Sequence, residues 1–183
     1  MARTNRAIWA RPGLMIGDAR ELSAYPCRVA LFQSLPVAVR RAGYRAAHRV
    51  LRVYWFILRP TTEGAKCLLT QGDRILLVRH TYGRSEWDLP GGTVARGEPP
   101  LTTARREMHE ELGVTIDDWT ALGTLKARVH YHPNWLHCFH AEWPEGDLVV
   151  DPGEIETTGW FELNALPSDT SAYALRIIAL LDR

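Results

Sequence analysis

The sequence predicts one α/β domain preceded by a basic amphipathic helix, and three observations lead to this expectation. The chain has 183 residues, near the usual size of a single domain. With 46% hydrophobic and 23% charged residues, it has the composition of a globular protein with a sizeable core, which excludes disordered, collagen-like and coiled-coil chains. Segments with strand spacing and segments with helical spacing both occur after residue 60.

The charged residues divide the chain into two regions. Residues 1–60 contain 11 Arg and only Asp18 and Glu21 as acidic residues, a net charge of +9. Residues 61–183 contain the other 11 basic residues and 19 acidic ones, a net charge of −8. The overall charge of +1 would argue against a nucleic-acid or membrane partner, but that average does not describe the basic N-terminal region.

The cysteines and the hydropathy pattern favour a cytoplasmic protein. Cys27, Cys67 and Cys138 are odd in number and form no CxxC pair, which argues against a disulfide framework and a cysteine-based zinc site. The N-terminal residues lack the apolar region of a signal peptide. No stretch approaches the roughly 18 to 20 apolar residues that a spanning helix requires.

The N-terminal region is predicted to contain a leader and a helix. Residues 1–34 lack sustained periodicity and predict a loosely structured leader, whereas residues 36–59 predict a basic amphipathic helix that ends before Pro60. We therefore expect region 1–60 to precede a domain at 61–183. The helix either packs its apolar face on that domain or contacts a membrane surface, RNA or a second copy of the chain. The apolar face consists of Val39, Ala42, Ala46, Val50, Val53 and Ile57, opposite Arg41, Arg45, Arg49 and Arg52.

Residues 61–183 show alternating strand and helix patterns. A turn at 71–73 joins two apolar strands, and Gly113 provides the stop of a helix. A second hairpin is expected to turn at 132–134. The predicted strands are Lys66–Thr70, Arg74–Arg79, Leu122–His132, Trp135–Glu142 and Gly159–Phe161, and the predicted helices are Leu101–Leu112 and Thr170–Leu181.

The helix at 101–112 carries a cluster of carboxylates. Glu107, Glu110 and Glu111 are spaced i, i+3 and i+4, so they share one face. Like charges at this spacing repel each other, but a hard divalent cation with oxygen ligands turns that repulsion into coordination. The alternative is a solvated acidic face with no ligand. Arg106 beside the cluster is suited to orient a carboxylate by a bidentate ion pair.

The segment around this cluster resembles a known family pattern. Residues 92–114, GTVARGEPPLTTARREMHEELGV, resemble the Nudix box GX5EX7REUXEEXGU, in which U is aliphatic. WDLPGG at 87–92 and Glu154-Ile155 before GWF are similar to the flanks of that box, and the resemblance covers residues 62–183. The fixed positions of the box are all matched, by Gly92, Glu98, Arg106, Glu107, Met108, Glu110, Glu111, Gly113 and Val114.

The resemblance implies the Nudix fold, an α/β/α sandwich with a mixed sheet, and a hydrolase. Nudix enzymes typically hydrolyse a nucleoside diphosphate linked to another moiety, by attack of water at a phosphorus atom. By resemblance, Glu107, Glu110, Glu111 and the Gly92 carbonyl would bind Mg²⁺, with Mn²⁺ as an alternative. Glu98 would support this site, Arg106 would position Glu107, and the general base would be Glu107 or Glu154.

The substrate is less well indicated. Tyr131 lies 17 residues after Val114, a distance associated with dinucleoside polyphosphate hydrolases of the family. Position 130 is His, so the proline associated with ADP-ribose enzymes about 16 residues beyond the box is absent. Tyr131 and Trp135 are suited to stack on a base, although aromatic residues on strands more often pack in the core.

Two further alternatives stay open. His130, His132, His137 and His140 lie in one hairpin and would form a zinc site if they converged; otherwise they contact phosphate or are simply half-exposed. Two alternatives to the hydrolysis of a small nucleotide derivative are hydrolysis at the 5′ end of RNA and a sensor that binds nucleotide or RNA without turnover. Sensors often lose catalytic carboxylates, whereas the box in this sequence is complete.

Overall fold

The computed structural model describes residues 34–58, 60–129, 132–144 and 146–181. Contacts place Pro36–Arg183 in one compact unit, so the N-terminal helix belongs to the same unit as the sheet, whereas the predicted leader lies almost entirely outside the described residues. The helices are α1 (Val37–Leu58), α2 (Pro100–Leu112) and α3 (Ala172–Ile178), and the strands are β1 (Thr62–Gln71), β2 (Arg74–His80), β3 (Thr120–Val129), β4 (His132–Glu142) and β5 (Ile155–Glu162).

The strands form one mixed sheet in the order β3-β4-β1-β2-β5. β1 and β4 are parallel, and the other neighbouring pairs are antiparallel. The predicted first hairpin is confirmed, because Gln71 pairs with Arg74 across a two-residue turn. The parallel pair places the central strand β1 beside a strand that follows α2 in sequence.

Two hydrophobic cores cover the two faces of the sheet. Successive residues of β1 point to opposite faces, so Cys67 and Leu69 pack with α2 while Leu68 packs with α3. Met108 and Leu112 of α2 are fully buried in the first core, as their spacing predicts. These layers confirm the predicted α/β/α sandwich with a mixed sheet.

Some predicted boundaries differ from the structure. His132 to Asn134 do not form a turn, because they pair with residues 127–129 within the β3–β4 ladder. β3 ends at Val129 and β4 begins at His132, and residues 130 and 131 lie outside the described residues. The strand predicted at Gly159–Phe161 extends over Ile155–Glu162, because its antiparallel pairing with β2 begins at Ile155. The final helix, α3, is shorter than the predicted Thr170–Leu181.

The helix α1 is present as predicted, but its apolar stripe does not pack on the domain. Arg40 is buried, and Tyr44 stacks on Tyr82 with ring centroids 5.9 Å apart. Val50 and Ile57, on the opposite face, are each 69% exposed. The helix does pack on the domain, but through the side with Arg40 and Tyr44; the expectation that its apolar stripe would pack there is wrong. Among the residues described, no helix is both long enough and apolar enough to cross a bilayer.

Candidate functional site

The local sequence of α2 explains where the helix begins and ends. Pro99 and Pro100 lie at its start, where a proline ring has the right φ and no amide hydrogen is needed. Gly113 ends it with φ of 66° in the left-handed region, and its amide donates to the carbonyls of His109 and Met108. With the helix bounded in this way, Glu107, Glu110 and Glu111 lie in its last two turns.

Arg106 connects the glutamates of the box. Its Nε and Nη2 atoms donate to the two oxygens of Glu98, at 3.2 and 3.3 Å. Its Nη1 atom donates to Glu107 at 2.7 Å and to Glu110 at 3.2 Å. One guanidinium therefore orients three carboxylates, a geometry that a lysine could not reproduce.

Glu98 is held in a way that favours its ionised form. It also accepts hydrogen bonds from the Thr103 hydroxyl at 2.8 Å and the Ala95 amide at 3.2 Å. Burial acts to raise the pKa of Glu98, but the hydrogen bonds from Arg106 and Thr103 outweigh it, so the pKa is lowered. Glu98 is thus a fixed anion that anchors Arg106.

The loop before α2 lies directly against the carboxylates of the helix. The Gly91 amide donates to Glu111 Oε2 at 3.1 Å, and the Gly92 carbonyl accepts from the Ala65 amide at 2.9 Å. A Cβ atom on Gly92 would lie 2.2 Å from Glu107 Oε1. A side chain at position 92 would therefore displace the Glu107 carboxylate, while the Gly92 carbonyl oxygen keeps a second lone pair for a ligand.

Glu111 and Glu154 meet at the end of β2. Ligand atoms of His80, Glu111 and Glu154 all lie within 4.8 Å of one another. Glu111 is 1% exposed, and Nδ1 of His80 is buried without a hydrogen-bond partner. Buried carboxylates beside an unsatisfied imidazole nitrogen have the donor chemistry of a divalent-cation site.

Glu154 is fixed by two tyrosines. The Tyr82 hydroxyl donates to Glu154 Oε1 at 2.5 Å, and the Tyr44 side chain of α1 also donates to Glu154. The Thr81 amide donates to the Glu154 backbone carbonyl at 2.8 Å. This carboxylate is therefore oriented from both β2 and α1.

The helix α1 also holds the segment that carries Glu154. Arg40 forms a buried ion pair with Asp151 at 2.5 Å, and Arg41 donates to the Pro152 carbonyl at 3.0 Å. Arg45 donates to the Thr81 carbonyl at 3.2 Å. Three arginines of α1 therefore contact the two chain segments that meet at Glu154.

Burial raises the pKa values of the clustered carboxyls. It raises the pKa of Glu107 to about 7, although the charge of Arg106 acts in the opposite direction. Burial, and then the charges of Glu154 and Glu107, raise the pKa of Glu111 well above its usual value. Burial also raises the pKa of Glu154, against the hydrogen bond from Tyr82. Crowded carboxyls of this kind favour a proton or a metal ion among them.

The structure brings most of the predicted site residues together. Glu98, Arg106, Glu107 and Glu110 form one hydrogen-bonded group, and Glu111 lies at the base of α2 with Glu154. The sequence pattern did not indicate His80, Tyr82 and Tyr44. They carry no local signal, because only the pairing of β2 with β5 and the docking of α1 bring them to the site.

Trp135 and three of the four hairpin histidines, His132, His137 and His140, lie on β4 among the described residues. Tyr131 is outside the described residues, and Trp135 is 39% exposed on β4 with the Lys126 ammonium 4.8 Å from its ring centroid. His130 is also outside the described residues. The other hairpin histidines have separate partners on β1: His132 contacts Thr62, His137 contacts Glu63 and His140 contacts Thr70. Within the described residues no metal-ligating cluster includes them, so the zinc hypothesis gains no support.

An open depression lies elsewhere on the surface. It is lined by residues 115–120 and 140–144 and contains none of the box carboxylates. The chemistry of the carboxylate cluster, rather than the depth of this depression, therefore indicates the functional site.

The chain is similar to a known protein family and to named bacterial proteins. A family model described as the NUDIX domain matches residues 60–181. The NAD-capped RNA hydrolase NudC of Pseudomonas aeruginosa is 33% identical over 107 residues, which are 55% of this chain and 36% of that protein. The ADP-ribose pyrophosphatase of Mycobacterium tuberculosis is 51% identical over 48 residues, 26% of this chain and 23% of that protein. The chain thus spans little more than a third of the first relative and less than a quarter of the second.

Solved structures share the fold. A MutT NUDIX hydrolase from Burkholderia pseudomallei has a TM-score of 0.62 and 25% identity, and the match covers 67% of this chain and 98% of that one. A MutT protein from Methanosarcina mazei has the same TM-score with 22% identity, covering 68% and 95%. In both cases the similarity covers about two thirds of the present chain.

Proposed function

Because this chain belongs to the Nudix family, whose domain model matches residues 60–181, we propose that it hydrolyses the pyrophosphate linkage of a nucleoside diphosphate joined to another moiety. The observation that carries this proposal is the convergence of buried carboxylates from α2 and from the segment before β5. Such a group is costly to bury unless it has a function, because each carboxylate loses its hydration.

The residues present fit a divalent cation. Glu111 is buried with only the Gly91 amide as a hydrogen-bond donor, and His80 Nδ1 is buried without one. We propose that Glu107, Glu110, Glu111 and the Gly92 carbonyl hold Mg²⁺, with Mn²⁺ as the alternative ion and His80 and Glu154 beside them. When bound, the ion supplies positive charge that neutralises the pyrophosphate.

The reaction then needs a base and fixed geometry. The oxygen of a water molecule attacks a phosphorus atom, the bridging P–O bond breaks, and two phosphorylated products leave. Glu154 or Glu107 accepts the proton of that water. Tyr82 holds Glu154, and Arg106 holds Glu107, so either carboxylate is already oriented before substrate binds. Glu98 acts through Arg106 and does not contact the reacting atoms.

The substrate class is proposed from the relatives. The names of the Pseudomonas and Mycobacterium proteins describe an NAD cap on RNA and ADP-ribose, and both contain a pyrophosphate that joins adenosine to a second moiety. We propose this group of adenosine diphosphate derivatives as the first to test, with dinucleoside polyphosphates, nucleotide sugars and RNA 5′ ends as the other classes. A contact of Tyr131 or Trp135 with the base and a cytoplasmic location remain predictions.

A substrate screen with one matched variant tests the proposal. The native chain and Glu110→Gln are incubated with NAD, ADP-ribose, dinucleoside polyphosphates, nucleotide sugars and 5′-capped RNA in the presence of Mg²⁺ or Mn²⁺, and the phosphorylated products are separated. We expect turnover by the native chain and a loss of at least about 100-fold in kcat for the variant, since its amide keeps the shape but not the charge. Arg105→Gln, which changes the exposed neighbour of Arg106, is the control and should keep its activity.

The screen also distinguishes the alternatives. Glu154→Gln should lower kcat more than it raises KM if Glu154 is the base, whereas Glu107→Gln should weaken Mn²⁺ binding as well. Binding of a nucleotide or RNA without any product would contradict hydrolysis and would support a sensor. Turnover that Glu110→Gln leaves unchanged would contradict the proposed metal site.

A further inference from the structure

The outward side of α1 is the largest concentration of exposed apolar side chains among the described residues. Ten of the 14 exposed large hydrophobic residues of the described chain lie between Leu35 and Leu58. Isolated exposed apolar residues are normal, but a contiguous set on one helix marks an interaction surface. We call Val39, Val50, Val53 and Ile57, which are 50 to 69% exposed, the outer face of α1.

Folding of the domain does not use the outer face. α1 docks through its other side, where Arg40 is buried against Asp151 and Tyr44 stacks on Tyr82. Docking therefore fixes the helix with its outer face turned away from the sheet. Val50 is 69% exposed, so a charged substitution there should leave the docked side of the helix intact.

The charges next to the outer face indicate an anionic partner. α1 contains five arginines and no Asp or Glu. Arg40, Arg41 and Arg45 are engaged with the domain. Arg49 and Arg52 are exposed on the same helix, where helical spacing places Arg49 next to the outer face and Arg52 further round, toward the docked side. An exposed apolar stripe on a helix whose charged residues are all arginines is the pattern of a helix that lies in the interface of an anionic bilayer, with its apolar side among the acyl chains and its exposed arginines reaching the headgroups.

A second copy of the helix fits this surface less well. In a symmetric dimer the same surface patch of both subunits forms the interface. If the outer faces of two α1 helices packed together, the exposed arginines of one helix would lie near those of the other. Because α1 has no carboxylate, the partner helix could not neutralise them. We propose that the outer face of α1 binds the surface of an anionic lipid bilayer and holds the catalytic domain against it.

Vesicle binding by the full chain tests this proposal. Flotation is measured with vesicles of phosphatidylcholine alone and of phosphatidylcholine mixed with phosphatidylglycerol. We expect binding to the mixed vesicles only, and weaker binding at high ionic strength. Val50→Asp should abolish binding, whereas Val149→Asp, an equally exposed valine outside the helix, should keep it. Circular dichroism and thermal unfolding confirm that both variants fold.

A pair of arginine variants tests the electrostatic part. Arg49→Gln combined with Arg52→Gln should weaken binding about 30-fold, from about 1 kcal/mol per basic residue, and the corresponding double lysine variant should bind like the native chain. Equal binding to both kinds of vesicle, or equal loss with Val149→Asp, would overturn the proposal. So would a dimer in sedimentation analysis that Val50→Asp converts to monomer, or binding of RNA but not of vesicles with the same dependence on these residues.

Discussion

At the scale of single residues, Arg106 is the side chain on which the box depends most. It pairs with Glu98, Glu107 and Glu110 at once, so the loop before α2 and two turns of the helix are joined by one guanidinium. The sequence could predict this group because its members lie within 13 residues and helical spacing alone brings most of them together. His80 and Tyr82 could not be predicted in the same way, because they come from a strand whose register depends on the whole sheet.

Gly92→Ala tests how closely the loop approaches the helix. The new Cβ would lie 2.2 Å from Glu107 Oε1, which is the flexible end of a side chain, so Glu107 should move and the fold should persist. We expect Mn²⁺ affinity to fall by about 10- to 100-fold, the size of effect seen when the setting of a metal ligand is disturbed. Titration followed by electron paramagnetic resonance measures this affinity. Gly72→Ala, in an open turn, should cost about 1 kcal/mol of stability and leave Mn²⁺ affinity unchanged; unchanged affinity in Gly92→Ala would contradict the expected displacement.

At the scale of elements, α1 shows what periodicity does and does not determine. The repeat of Val39, Val50, Val53 and Ile57 correctly predicts a helix and its stripe, but it does not say which side of the helix packs on the domain. The choice is made by the polar side, because Arg40 finds a buried carboxylate and Tyr44 finds an aromatic partner and Glu154. A local sequence pattern cannot predict contacts with residues that are distant in sequence. The local apolar runs, in contrast, locate the middle of each strand, although pairing with neighbouring strands decides where several of them begin and end.

Arg40→Met tests the attachment of α1 to the rest of the domain. Removing the guanidinium leaves Asp151 as an unpaired buried charge, so the free energy of unfolding should fall by about 3 to 5 kcal/mol. Urea unfolding measures this change, and kcat should fall because Glu154 follows Asp151 closely in the chain. Arg41→Ala, which loses an exposed hydrogen bond, should stay within about 0.5 kcal/mol of the native chain. Combining Arg40→Met with Asp151→Leu should recover part of the stability; if the single substitution costs no more than Arg41→Ala, the ion pair does not hold the helix.

At the scale of the whole molecule, the acidic cluster makes the metal-free protein sensitive to pH. Burial raises the pKa of Glu107 from 4.5 to about 7, so the folded state keeps a proton that the unfolded state has already lost. Stability should therefore fall as pH rises through that window. Burial lowers the pKa of His80 from 6.5 to about 4, which has the opposite effect below pH 6.5. At pH 6.5 the unfolded His80 is still about half protonated, and burial also lowers the pKa values of His48 and His140, which act in the same direction as His80. The carboxyl contribution is therefore isolated by comparing the native chain with a variant of Glu107 rather than by the pH window alone.

Thermal unfolding in EDTA should thus give a lower Tm at pH 8 than at pH 6.5. Mn²⁺ should raise Tm more at pH 8, because binding no longer has to displace a proton. Glu107→Gln should reduce the pH dependence of the EDTA sample, whereas Glu162→Gln, on an exposed strand end, should not change it. The same pH dependence of Tm in EDTA for the native chain and for Glu107→Gln would contradict the assigned pKa shift of Glu107.

The ion pair between Arg40 and Asp151 also bears on the order in which the molecule is built. Its two members are separated by 111 residues, so they can meet only after most of the chain has been synthesised. The carboxylate-bearing turn of α2 can form earlier from local contacts, whereas the segment with Glu154 gains its anchor later. A nascent chain would therefore carry the whole box yet lack a finished site, which is complete only when the first described helix and the last third of the sequence have joined.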